Sequence, residues 1–544
     1  MSAPKDSFTP FVSGTDALEN HVLACLQARQ SDEALLLAEH LSSPIARNFL
    51  EGWALFQLGN LPEAARCFLR LPDFSGSPHP LALIQNTLCE EVEERGFLTL
   101  LTHMESFSSP SPALYGLRAM ARLILGEAVL GETELRQALK VFPGHPALHN
   151  ALATLLADRG EFAEAATLLT GLTQKLPDHW TTHGNLGTLL TQIGQAEKAL
   201  EPFRRAIALA PHEARLRLNH SLALLKAERF AQGWLEHEWR LKLPGHTTLP
   251  SETLLPTLDS TSPAEMQQRL HGRTVLITQE EGLGDMLMYL RYLVPLAATG
   301  ARLHVWCSAE LASLVSNLEC VDTVQVGGET PEHDYHCPFI SLPRVFSALP
   351  TPEQRCPPSP YLSVSPLRRQ RMLERLAPYL QSDTLRVGLV WAGGHHRHDR
   401  TARVLDRHRS MSLHQFAPLT ALGKQIQLFS LQKGPAAAQL EDFPGPIINL
   451  MEACEDLEDT AALIEQLDLV VSVDTSVLHL AGALGRKAIL LDRYTNCWRW
   501  GQGTTESPWY PSLKILRQPR HGAWAPVIAQ LGEILAAKAT RRSD

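Results

Sequence analysis

The chain has 544 residues, 44% of them hydrophobic, 20% charged and only 6% aromatic, with a formal net charge of −9. At roughly 100–200 residues per domain this length calls for two to four domains, and the ordinary composition excludes a collagenous, coiled-coil or wholly disordered chain. The acidic balance argues against a general nucleic-acid binder, which needs a basic surplus to neutralise phosphates.

The first residues, MSAPKDSFTPF, lack the basic start and apolar stretch of a signal peptide, and no apolar run approaches the ~20 residues of a membrane helix. Nine cysteines are scattered without a C-x-x-C pair, the pattern of neither a disulfide framework nor a zinc site. The expectation is a reduced, cytoplasmic protein with no transmembrane segment.

A 34-residue period organises the first half. Pro143, Pro177 and Pro211 recur at that spacing, as do Gly126, Gly160 and Gly194. Small residues repeat at Ala119, Ala153, Gly187 and Ser221, and again at Gly131, Ala165, Ala199 and Gly233. Small side chains let paired helices approach, glycine ends the first helix, and proline stands where a helix cannot continue. This is the tetratricopeptide pattern, without the large aromatic usual early in the first helix. The segment NFLEGWALFQLGNLPEAARCFLRLP adds a degenerate unit with Gly52, Gly59, Ala64 and Pro72, and residues 15–40 read as helical. A solenoid is therefore expected over 15–240. Stacked repeats leave a concave groove for a peptide or protein partner, or act as a scaffold or dimerisation arm. Residues 241–270, rich in Pro, Thr and Ser without sustained periodicity, read as a linker.

Beyond residue 272 the grammar changes. RTVLIT, ARLHVWC, DTVQV and DYHCPF are short β-rich runs; LRVGLVWAG, IQLFSLQ, PIINL, LDLVVSVD, KAILLD and LKILR follow a helical stretch at 365–382. The alternation predicts two parallel, Rossmann-like sheets facing across a cleft, with ligands at the carboxyl ends of their strands.

Three strand-to-loop junctions carry candidate chemistry. In ITQEEGLGDMLMYLRYLVPL, Gly282 and Gly284 make a tight turn that presents Asp285 to the cleft, either for reaction or as a cap of the next helix. The third glycine of a dinucleotide fingerprint is absent. In LDLVVSVDTSVLHLAGALG a strand ends at Asp474, and Thr475 and Ser476 open a helix carrying His479 and Gly482, whose free N–H groups suit an anion. Asp474 would repel a diphosphate, so it suits sugar hydroxyls; the alternative is a plain helix cap with a core histidine. In LFSLQKG, Gln432, Lys433 and Gly434 follow a strand, where a lysine either holds phosphate as a point charge or stays solvated. The basic stretch GGHHRHDRTARVLDRHRSMSL reads as a mobile loop at the cleft mouth. Its His395, His396 and His398 lack partner ligands for a metal, and no D-x-D pair is present to hold a metal-bound diphosphate.

The stretches EGLGDMLMYLRY, DYHCPFISLP, VGLVWAG, DRHRSMSL, SLQKG, SVDTSVLHLAGALGRKAILL, WRW and SPWYPSLKILRQ, with GWLEHEWR at the end of the repeats, resemble the tetratricopeptide-linked glycosyltransferases related to lipopolysaccharide heptosyltransferases. The resemblance spans residues 220–535. It implies a tetratricopeptide α-solenoid (15–240), a linker (241–270) and a GT-B transferase with an acceptor-side Rossmann-like domain (271–383) and a donor-binding one (384–536). Position by position it implies Asp285 as catalytic base and Lys433 as a donor-phosphate contact. Asp474, Thr475, Ser476 and His479 become the donor-sugar and diphosphate motif, with Arg409 and Ser410 on the donor rim. The loop before Asp406 is several residues longer than the family pattern, and Gly393-Gly394 stands for a usual Gly-Asn. The activity implied is inverting, metal-independent transfer from a nucleotide-sugar, without a cofactor, to a protein acceptor held by the repeats, with flagellin one candidate. The alternatives are transfer to lipopolysaccharide or another glycan, and a non-catalytic adaptor with a decayed transferase domain. Retention of Asp285, Lys433, Asp474 and His479 speaks against decay.

Overall fold

The computed structural model describes residues 16–71, 80–88, 91–109, 111–243, 249–256, 263–280, 282–346, 357–394 and 400–543. Helices fill the chain up to His237. The 34-residue period appears as the first helices Pro112–Ile124, Pro146–Asp158, Trp180–Gln192 and Ala214–Lys226 of successive pairs. Three of them turn at Gly126, Gly160 and Gly194, with φ of 76°, 84° and 79°, the left-handed region that glycine adopts without steric cost. The small positions are steric necessities. A Cβ on Gly187 would lie 2.7 Å from the Phe203 ring, and one on Gly233 would lie 2.7 Å from Leu225.

Two parallel sheets follow. The first holds β1 (Thr274–Thr278), β2 (Arg302–Trp306), β3 (Thr323–Gln325) and β4 (Tyr335–Pro338) in the order β3-β2-β1-β4. The second holds β5 (Leu385–Val390), β6 (Ile426–Ser430), β7 (Ile448–Asn449), β8 (Leu469–Ser472), β9 (Ala488–Asp492) and β10 (Leu513–Arg517) in the order β10-β9-β8-β5-β6-β7. Every expected β-run is a strand, and each pairs in parallel with its neighbours. β6, β8 and β9 are buried along their whole length, as strands covered on both faces must be. The architecture is a helical solenoid followed by a two-sheet, GT-B-like transferase.

The segment between solenoid and sheets is more ordered than its Pro/Thr/Ser composition suggests. Leu255 is fully buried and its N–H donates to the His336 carbonyl beside β4, and Pro263–Leu270 is a helix. The last helix, Ala525–Ser543, runs past residue 536. One apolar core joins repeat and sheet residues: Leu225 and Trp234 cluster with Val275, Val305, Leu478 and Leu490. Trp234 packs edge-on against Tyr289 and Trp498, with centroids 6.0 and 5.2 Å apart. Arg240, 5% exposed, pairs with both Glu280 oxygens at 2.9 Å and also reaches Glu238 and Ser341. The solenoid's end is thus built into the transferase.

The basic stretch departs from expectation. His395, His396 and His398 lie outside the described residues, but Arg400–Arg409 is a helix docked on the repeats, not a mobile loop at the cleft mouth. Arg403 donates to the Leu88 carbonyl, and Arg407 to the carbonyls of Leu123 and Ile124 and to Asp158. His408 bonds Asp158 at 2.7 Å, and Val404 packs on the repeat core. The glycine turns admit the transferase: a Cβ on Gly160 would lie 3.0 Å from His521. Burial pushes the Asp158 carboxyl up, but His408 and Arg407 overcome it and hold it below its ordinary value. Asp158→Ala, which removes the acceptor that Arg407 and His408 share, should cost about 1.5–3 kcal/mol at neutral pH by denaturant unfolding. Because the folded value is depressed below the ordinary 3.8, that contribution is present above pH ~4 and is lost as the pH falls through the folded value, below which the variant and wild type should converge.

Candidate functional site

β1 ends at Thr278, and the chain passes through Gly282, at φ 90°, into the short helix Leu283–Tyr289. Asp285 sits in its first turn and makes no cap bond; its Oδ1 accepts from Arg499 Nη2. On the facing sheet β8 ends at Ser472, and extended Thr475 (φ −138°, ψ 169°) precedes the helix Ser476–Ala483. The Thr475 hydroxyl pairs with Ser472 Oγ at 2.9 Å and does not cap the helix. Asp474 is not the cap residue either, so the cap half of the alternative does not hold, while its histidine half agrees with the burial of His479.

The two junctions meet across the cleft. A Cβ on Gly284 would lie 3.0 Å from His479 Cδ2 and 3.6 Å from Ser476 Cα. Glycine at that position lets the two helix starts touch, which gathers Asp285, Asp474, Ser476 and His479 at the carboxyl ends of β1 and β8. Strand ends of this kind are where open α/β sheets bind ligands.

His479 is buried, with Nδ1 3.0 Å from the Tyr510 hydroxyl, Nε2 4.0 Å from Asp474 Oδ1, and its ring 5.1 Å from Trp500. Burial drives it down to about 3, with Asp474 opposing, so it serves as a neutral hydrogen-bonding imidazole at physiological pH. Gly482, one turn on, makes room for Tyr510, since a Cβ there would lie 2.5 Å from that ring. Burial raises the Asp285 carboxyl above its ordinary value, while Arg499 opposes the rise. Arg499 also points Nη1 at Cys497 Sγ, 3.0 Å away, and lies 4.7 Å over the Trp498 ring.

The residues expected at the donor rim gather behind β5. Gly393 N donates to Ser410 Oγ at 3.0 Å, and Arg409 Nε donates to Asp406 Oδ1 at 2.8 Å. A Cβ on Gly393 would lie 1.9 Å from Asp406 Oδ1 and 2.6 Å from Arg409 Nη2. The first glycine of the Gly-Gly pair is therefore what lets this longer segment close on the loop. Gln432 is a backbone clamp: Oε1 accepts from the N–H groups of Trp391 and Ala392, and Nε2 donates to the carbonyls of Ala392 and Lys433. Lys433 is exposed past the end of β6, and its described partner is the Cys454 carbonyl, not the Asp285–Asp474 cluster.

Sequence reasoning assigned no role to Arg499, Trp500 or Tyr510, or to Trp234 and Arg240 on the repeat side. All five lie in stretches that carry the family resemblance. The available signal was local: tryptophans flanking an arginine in a loop, and Trp, Glu and Arg crowded where the repeats end.

Residues 436–525 match the family model for glycosyltransferase family 9 (heptosyltransferase), and residues 117–179 and 150–214 match a tetratricopeptide repeat model. The first match includes Asp474, His479, Arg499 and Tyr510 and excludes Asp285 and Lys433. Protein FlbA of Caulobacter vibrioides is 24% identical over 435 residues, covering 74% of this chain and 69% of that protein. Among solved structures, a family 9 glycosyl transferase of Veillonella parvula aligns at 11% identity and TM-score 0.38, covering 49% of this chain and 98% of that one. The ADP-heptose lipopolysaccharide heptosyltransferase II of E. coli aligns at 14% identity and TM-score 0.36, covering 50% and 100%. Among the described residues no helix is long and apolar enough to cross a membrane.

Proposed function

We propose that this chain, which carries a glycosyltransferase family 9 domain behind tetratricopeptide repeats, is an inverting, metal-independent transferase that moves a sugar from a nucleoside-diphosphate donor to a protein hydroxyl. The observation that carries this reading is the contact of Gly284, next to Asp285, with the start of the Ser476 helix across the cleft. Asp285 takes the acceptor proton as the acceptor oxygen attacks the anomeric carbon. The nucleoside diphosphate departs from the opposite face with the bonding electron pair. Its charge is met by the first N–H groups of the Ser476 helix and by Arg409 and Lys433 on the rim. Asp474 accepts from sugar hydroxyls, and neutral His479 hydrogen-bonds without adding charge.

Fixed cations and a helix terminus supply the positive potential, and the sequence has no D-x-D pair. Turnover is therefore expected to survive EDTA; activity abolished by chelation and restored by manganese would contradict this. A protein acceptor is supported by the join between the repeats and the site. Lys226, closing the helix Ala214–Lys226, donates to the Asn496 carbonyl at 2.8 Å, three residues before Arg499. An acceptor held along the repeats would be presented at high effective concentration to the loop bearing Arg499. Flagellin is one candidate. The second reading, transfer to lipopolysaccharide or another glycan, draws on the heptosyltransferase character of the matched family. Intact masses of flagellin and of surface glycans, from cells with and without the gene, separate the two: a loss of sugar mass confined to flagellin supports the first, and one confined to a glycan supports the second.

A further inference from the structure

The Asp285–Arg499 pair raises a difficulty for the mechanism and suggests its resolution. A carboxylate held by a guanidinium is a weak base, because abstracting a proton would cost it that ion pair. Arg499 is itself short of partners. Its guanidinium has five N–H donors; Nη2 reaches Asp285, Nη1 reaches the weakly accepting Cys497 sulfur, and Nε is buried with no hydrogen-bond partner among the described residues. The loop that carries it is fixed, with Trp498 against Trp234 and Trp500 against His479. Gly284, the neighbour of Asp285, touches the start of the Ser476 helix, and Asp474, just before that helix, is among the charges that act on Arg499.

We propose that Arg499 is a positioning residue that exchanges partners: it holds Asp285 in the donor-free site and turns to the diphosphate when the donor binds, freeing the carboxylate to act as base. This rests on the reading of Asp285 as base and of the Ser476 helix as donor site. The exchange orders the reaction, because Asp285 gains its full basicity only once a sugar is present to be attacked. The guanidinium that leaves the carboxylate then neutralises the leaving group. Among the groups around the pair, Asp474 and Glu280 carry negative charge and act on Asp285 in the same direction as burial. Arg240 and the half-buried His237, whose imidazole is held well below its ordinary value, face it from the end of the repeats, and Tyr289 and Cys497 lie on the Arg499 side.

The exchange predicts a proton signature that a merely structural arginine would not give. Losing Arg499 raises the Asp285 carboxyl further, so nucleotide binding should take up protons at mildly acidic pH. The experiment is calorimetric titration of the full-length chain with ADP, CDP, GDP and UDP at pH 5.5, in buffers of different ionisation heat. Wild type should take up more protons than Asp285→Asn, and Asp285→Asn should bind the nucleotide as tightly or several-fold more tightly, since a neutral amide holds Arg499 more weakly than the carboxylate does. Arg499→Gln should lose the extra uptake and roughly ten-fold in affinity, and Arg499→Lys should recover part of both. Equal proton uptake by wild type and Asp285→Asn overturns the exchange and leaves the donor site standing, even if Arg499→Gln fails to fold. Binding of none of the four nucleotides overturns the donor assignment beneath it.

Discussion

Asp285→Asn should turn over donor and acceptor about 10²–10⁴-fold more slowly than wild type, the range that a positioned general base supplies, while the chain stays folded and still binds nucleoside diphosphate. The amide keeps an oxygen for Arg499 and the glycine turn that presents it, so geometry survives while the proton acceptor is lost. Single-turnover rates with saturating donor, beside nucleotide affinity and a circular dichroism spectrum, test the three parts together. Wild-type turnover would end the base assignment. The pH profile offers a further check. Burial places the folded Asp285 carboxyl above its ordinary value of 3.8, and only the ionised form takes a proton, so the acid limb of kcat/KM should lie above that value and be absent from the residual rate of the variant.

Arg240→Ala should destabilise the protein by about 3–5 kcal/mol, the cost of leaving the buried Glu280 carboxylate without its cation. Arg240 is 5% exposed and Glu280 is 8% exposed, so water cannot replace the lost partner. The damage should reach the site as well. Glu280, which also accepts from Ile340 N at 3.1 Å, lies just past β1 at the entrance to the turn that presents Asp285. A denaturant midpoint shifted by the equivalent of less than about 1 kcal/mol would show that this network is not what joins the solenoid to the transferase. The same geometry bears on dividing the chain. A chain begun after the sequence boundary at 241 loses Trp234 and Arg240, and with them one wall of the site.

What could be read from the sequence follows from what repeats. The strands were legible because parallel strands covered on both faces must be apolar along their length, and the solenoid because glycine turns and small contact positions recur at one period. Asp285, Asp474 and His479 were legible because glycine-bearing turns at strand ends announce close approaches. Arg499 and Tyr510 were not, since they arrive through loops after β9 that have no periodicity, and their roles come from residues more than 200 and about 30 positions away. The helix Arg400–Arg409 was misread for a related reason. Its composition is that of a solvated loop, but its partners include carbonyls at the turns of the repeats and two acids, Glu94 and Asp158, which sequence patterning does not connect to it. Lys433 shows the converse: a residue type suited to phosphate, found with its amine on the Cys454 carbonyl.

The most direct test of the account is the anomeric configuration of the transferred sugar relative to the donor, followed by proton NMR on the product of the purified full-length chain. One base facing one leaving group across the cleft predicts that the configuration inverts. A product that keeps the donor's configuration would contradict the account, because retention requires chemistry on the leaving-group side that these residues do not provide.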